Sequence, residues 1–247
     1  SGELESTVVA VVLTCLAQLV RKQALDQASK EARLAGLAEA MSISQHARAL
    51  YLRNGSTPPP SLLGGIAYLS ELQGNLEEAL KGYEEALDMH CSAGDLASNK
   101  GCVLLNSLGS VKLKLGDVRG AESAYEEALN IRRRLNILRT PLGAHNLMGL
   151  GKVRMAQGND AAARDMFQEA YQIFVHFDAI TSTAGQELML ELMIATSGSK
   201  ELSQDQILQV LVLHGVSQEA ALASLEVFRA DVGQSEPCSA LWRNYLK

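Results

Sequence analysis

In the first fifty residues Val12, Leu16, Leu19 and Leu25, and then Leu34, Leu37, Met41 and Leu50, recur near helical spacing, which predicts two helices between residues 4 and 52. The stretch 54–60, with three consecutive prolines at Pro58, Pro59 and Pro60, cannot continue a helix and predicts a connection or hinge. Beyond residue 181 the pattern predicts helical stretches over 186–195, 203–213 and 217–229, separated by Ser197-Gly198-Ser199 and His214-Gly215.

Between these ends the pattern repeats. Gly74-Asn75 leads to Ala79, Tyr83 and Ala86; Gly116-Asp117 leads to Ala121, Tyr125 and Ala128; Gly158-Asn159 leads to Ala163, Phe167 and Ala170, at a constant offset of 42 residues. Upstream of each glycine, Leu63, Ile66 and Ala67 match Leu105, Leu108 and Gly109, then Leu147, Leu150 and Gly151. Each position has a physical task. A glycine inside a helix costs close to 1 kcal/mol against alanine, so the small residue at 67, 109 and 151 implies close approach of a second helix. The alanines on that second helix supply the opposing small face at i and i+7, and the ring between them fills the gap to the next repeat. Gly74, Gly116 and Gly158 are expected to end each first helix in a left-handed turn, with Asn75, Asp117 and Asn159 capping the second.

These residues resemble the tetratricopeptide repeat family over about 60–180, and the 42-residue period, longer than the family's basic 34, is similar to the kinesin light chain variant. The chain departs from the pattern with leucine where the family has a large aromatic, and with Ser70, Lys112 and Arg154 where it has tyrosine. The resemblance implies an all-α fold, a right-handed α-α superhelix with helical segments at both ends. The expected division is an N-terminal helical segment over 1–57 that acts as a degenerate or capping repeat, three repeats over 58–182 (about 60–101, 102–143 and 144–182), and a C-terminal helical cap with a small helical pair over 183–247.

The same resemblance implies a groove, lined by the first helices, that receives a peptide or helix of a partner protein. By repeat position Ser61, Gly64 and Glu71 border it, with Val103 beyond them, and the candidate contacts are Tyr68, Asn106, Ser110, Leu113, Lys114, His145, Met148, Lys152 and Met155. Tyr68, Leu113, Met148 and Met155 offer adaptable apolar contact, and Asn106 suits a partner's backbone amide. Lys114 and Lys152 favour an acidic segment in the partner.

Composition narrows the alternatives. A chain 47% hydrophobic and only 4% aromatic suits stacked helices. A net charge of -6 argues against nucleic acid; the cluster Arg132-Arg133-Arg134 reads as a solvated helix C-terminus. The apolar run from Val8 to Val20 reads as too short to cross a bilayer. Cys15, Cys91, Cys102 and Cys238, widely spaced, read as buried thiols of a reducing compartment, the cytoplasm or nucleus. The five histidines fall into no ligand spacing, and Gly149-Leu150-Gly151-Lys152 lacks the earlier glycine and the Ser or Thr of a phosphate loop. Glu84-Glu85 and Glu126-Glu127 recur with the repeat and read as a solvated face rather than paired catalytic carboxylates. No cofactor is implied, and the expectation is a non-enzymatic scaffold or adaptor. An interaction region of a larger protein or enzyme, and a self-associating structural subunit, stay open beside it.

Overall fold

The computed structural model describes residues 2–197 apart from 28 and 181, so the stretches expected over 203–213 and 217–229, and Cys238, lie outside the described residues. Nine helices follow one another among the described residues: α1 (Gly2–Leu25), α2 (Lys30–Arg53), α3 (Pro60–Leu72), α4 (Leu76–Ala93), α5 (Asn99–Lys114), α6 (Val118–Arg134), α7 (Pro141–Ala156), α8 (Asp160–His176) and α9 (Thr183–Ser197). They fall into two compact units, Ser1–Asp117 and Val118–Lys247.

The helix starts and stops repeat with the sequence. Gly74, Gly116 and Gly158 take φ of 83°, 84° and 76°, the left-handed region that costs other residues roughly 1–2 kcal/mol. Of the expected N-caps, Asn159 accepts a hydrogen bond from the Ala162 amide, whereas Asn75 occupies the cap position of α4 without a side-chain bond. A second periodic start was not anticipated. Ser98, Thr140 and Ser182 accept from the amides of Gly101, Gly143 and Gly185 at 3.2 Å in each case. A Cβ on those glycines would lie 2.1, 1.8 and 2.2 Å from the carbonyl oxygens of Leu96, Leu138 and Ile180. Only glycine lets the incoming chain fold back so tightly on the first turn.

In the first unit α1 packs on α2 through small residues. Ala10 packs with Ala47 and Ala24 with Ala40, Ala17 is buried as well, and a Cβ on Gly36 would lie 2.6 Å from that of Ala24. The leucine and valine stripe that marks α1 as a helix is its exposed side: Val12, Leu16, Leu19 and Leu25 face out, as does Leu34 of α2. The two ends of the α1–α2 pair are closed by Tyr51 and Leu62 with Ala10 and Ala47, and by Leu69 with Ala24, Leu37 and Ala40. The length expectation for the first helix needs correcting as well. Ser6–Leu25 forms one continuous apolar helix of mean hydropathy 1.6, by length and composition enough to cross a membrane.

The repeat positions then carry the core. Ala79, Ala86, Ala121, Ala128, Ala163 and Ala170 are fully buried, as are the rings of Tyr83, Tyr125 and Phe167. On α7 a Cβ at Gly149 would meet the Tyr125 ring, and one at Gly151 the Phe167 ring, each at 2.3 Å. Gly149 and Gly151 are thus helix-packing residues, and no phosphate loop is formed.

Two further expectations are corrected. Arg132 is 1% exposed, while Arg133 and Arg134 are in solvent; Arg132 follows the buried Ala128 by four and Tyr125 by seven, so its register turns it inward. Cys15 and Cys91 are exposed free thiols, and only Cys102 is buried among the described cysteines.

Candidate partner-binding surface

In the first unit the groove positions on α3 and α5 meet around one carboxylate. Glu71, on the last turn of α3, has a side chain only 8% exposed. Its Oε2 accepts from the Tyr83 hydroxyl at 3.0 Å, and its Oε1 accepts from Ser110 Oγ at 3.1 Å and Lys114 Nζ at 2.8 Å. A carboxylate this covered needs such donors, since an unsatisfied buried charge costs far more than the bonds return. Burial, together with the neighbouring Glu71, pushes the Tyr83 hydroxyl far above its ordinary range, so it stays a protonated donor. One turn back on α3, Tyr68 is half-buried beneath the Arg21 guanidinium, 5.2 Å from the ring centre. Its pKa is raised, chiefly by burial, against the lowering influence of Arg21. Asn106 and Leu113 are half-buried on α5, while Lys114 remains exposed.

In the second unit the α7 positions differ from one another. His145 packs edge-on against Phe174, centroids 5.5 Å apart at 84°. Burial, with Lys152 and Arg132 assisting and Glu187 opposing, lowers its pKa, so the ring is neutral at physiological pH. Lys152 bonds Glu187 of α9. Met155 is half-buried; Met148 is only 4% exposed and stands with the buried residues of the unit. The two lysines expected to recruit an acidic partner therefore both carry an internal carboxylate, Glu71 for Lys114 and Glu187 for Lys152.

The departures from the repeat pattern have a task of their own. Lys112 reaches Glu84 at 3.8 Å, and Arg154 reaches Glu126 at 3.1 Å, the same pair displaced by 42 residues. Arg154 and Gln157 also bond Glu122. Burial is the largest influence on the Glu122 carboxyl and raises its pKa, but the hydrogen bonds from Gln157 and Arg154 and the Arg154 charge bring it below the ordinary value. These side chains tie a first helix to the preceding second helix. Ser70, at the equivalent position of α3, is buried and lies 3.5 Å from Glu78. The signal was present in the sequence as a lysine or arginine trailing a repeat glutamate by 28 residues.

Outside these positions, Arg139, Glu169, Gln172, Ile173, His176 and Phe177 line a cavity of about 250 Å³ near the end of α8. His90 is buried and bonds Asp95 at 2.7 Å. Among the described residues no three His, Cys, Asp or Glu side chains gather as metal ligands would.

Residues 100–174 match the tetratricopeptide repeat family pattern. No match was found among curated protein sequences. Among solved structures, the chain is similar to BtubC (BKLC) from P. vanneervenii, with a TM-score of 0.57 and 17% identity, covering 96% of this chain and 97% of that one. It is also similar to a Podosopora anserina protein described as a kinesin light chain with nearly identical TPR-like repeats. Two structures of that protein give a TM-score of 0.56 at 15% identity, covering 91% and 93% of this chain and 96% and 99% of theirs. At such identities the likeness is one of fold: an all-helical repeat solenoid, as the residue pattern implied.

Proposed function

We propose that the chain, whose residues 100–174 match the tetratricopeptide repeat family, is a non-catalytic scaffold of the cytoplasm that holds a peptide or helix of another protein against the first helices of its repeats. The observation that carries this reading is the polar platform on α3 and α5. Glu71, Ser110 and Lys114 are already joined, flanked by Tyr68 and Leu113, and they offer a partner both charge and apolar contact without rearrangement of the backbone. In the second unit His145, Lys152 and Met155 are the corresponding contacts, while Met148 is buried.

The internal carboxylates refine the chemistry of the partner. An acidic side chain approaching Lys114 or Lys152 competes with Glu71 or Glu187 already there, and displacing the covered Glu71 strips it of a donor, so charge adds little net affinity. Affinity then comes from the apolar contacts and the backbone grip of Asn106, and charge supplies selection among partners. The test is capture of partners by the full chain and by the triple variant Asn106→Ala, Lys114→Ala, Lys152→Ala, with circular dichroism of both. Loss of the captured proteins at unchanged helical content supports the surface; undiminished capture overturns it.

A further inference from the structure

The outer side of α1 is an apolar surface that the first unit leaves exposed. The inward stripe, Ala10, Thr14, Ala17 and Ala24, is buried against α2. Directly across the helix lies the stripe 8, 12, 15 and 19. Val8, Val12 and Leu19 are 56%, 58% and 53% exposed, and Cys15 is an exposed free thiol. Spacings of four, three and four residues are those of the seam by which two helices pack along their length. Monomeric proteins rarely leave such a face in water.

The order of charge along this helix says what covers it. The sequence is acidic at positions 3 and 5 and basic at Arg21 and Lys22, with only uncharged residues from 6 to 20. Position 5 falls one step before Val8 on the stripe, and Lys22 one step after Leu19, so the stripe reads acidic, four uncharged positions, basic. Laid antiparallel on a second copy, the stripe is complementary to itself: position 5 opposite 22, 8 opposite 19, and 12 opposite 15, since each pair sums to the same number. That is the condition for a two-fold, self-matching interface, in which i meets j and j meets i. A parallel arrangement would set like charges side by side. A lipid surface would also satisfy the apolar residues, but it does not require the acidic and basic ends to match each other in this register.

We propose that α1 is a homodimerisation helix, pairing antiparallel with α1 of a second copy through Val8, Val12, Cys15 and Leu19. This surface is separate from the α3 and α5 positions proposed to hold a partner, so each dimer presents those positions twice. The test is sedimentation equilibrium of the full chain over a range of concentrations, with zwitterionic phosphatidylcholine vesicles as a second arm. The mass is expected to double as concentration rises, and Val12→Glu to hold it at the single-chain value with unchanged circular dichroism. Glu5→Lys weakens the association, and Glu5→Lys with Lys22→Glu restores it. With Cys91 and Cys238 replaced by serine, a short bis-maleimide links two chains through Cys15. A single-chain mass at every concentration, a dimer that survives Val12→Glu, or flotation of a monomer with the vesicles would each overturn the proposal.

Discussion

Gly151→Ala isolates the contact on which the second unit's helix pair depends. The added methyl carbon would lie 2.3, 2.7 and 2.8 Å from three carbons of the Phe167 ring, where carbon atoms settle at about 3.5–4.0 Å. The ring cannot step aside: Phe167 is fully buried, between Ala163 and Ala170 on the same face, which are fully buried too. Two terms oppose each other. Alanine in a helix gains about 1 kcal/mol over glycine, while overpacking a well-filled core loses about 1–3 kcal/mol and occasionally more. With an overlap exceeding 1 Å against a rigid ring, the upper end applies and the net loss is about 2 kcal/mol. The assay is urea unfolding followed by circular dichroism, where the midpoint falls at unchanged slope. Phe167→Leu removes the ring edge, so the double variant loses less than the two single losses combined, by about 1 kcal/mol or more. Gly65→Ala, whose nearest neighbour to the new carbon is an Arg21 nitrogen at 3.9 Å, is the matched control and gains up to about 1 kcal/mol. A Gly151→Ala protein as stable as its parent, or strict additivity with Phe167→Leu, would refute the close-packing argument.

His145 carries a pH dependence of known sign. Its folded pKa lies below the ordinary 6.5, so its contribution is complete above that value and declines as pH falls below it, where the unfolded chain binds the proton first. Unfolding midpoints of the parent and of His145→Gln should run parallel above pH 6.5 and converge below it; parallel curves throughout would remove the histidine from the account. Gly74→Ala, at φ 83° with open space around the new carbon, should cost roughly 1–2 kcal/mol from backbone strain alone, read as a lower melting temperature with the fold unchanged. Arg154→Met should cost about 1 kcal/mol and make stability less sensitive to salt, because it removes the shared partner of Glu122 and Glu126. Salt titrations of the melting temperature check this.

The repeat was legible because its chemistry is local. A left-handed turn needs glycine, and a close helix crossing needs a residue without bulk, so Gly74, Gly116, Gly158 and the buried alanines announce themselves at a fixed offset. The face of α1 was not legible, because apolar residues lie all around that helix and its inward stripe is made of alanines, which periodicity weights least. Arg132 and Met148 escaped for a related reason: which flank of a repeat helix is covered depends on the neighbouring helix, and the sequence pattern names only the central stripe. The lysines on the groove positions were found as cations, but their pairing with Glu71 and Glu187 joins residues 43 and 35 apart, on helices whose mutual rotation no single repeat encodes.

The paired positions that recur with the period bear on how such a chain can change length. Lys112 meets Glu84 and Arg154 meets Glu126, always 28 residues upstream. Tyr83 likewise bonds Ser107, and Tyr125 faces Gly149, always 24 upstream. Each of these links spans less than one period, whereas Lys114 reaches Glu71 across 43 residues. Duplication of 42 consecutive residues by unequal recombination would therefore copy these shorter pairs along with the helices that they join.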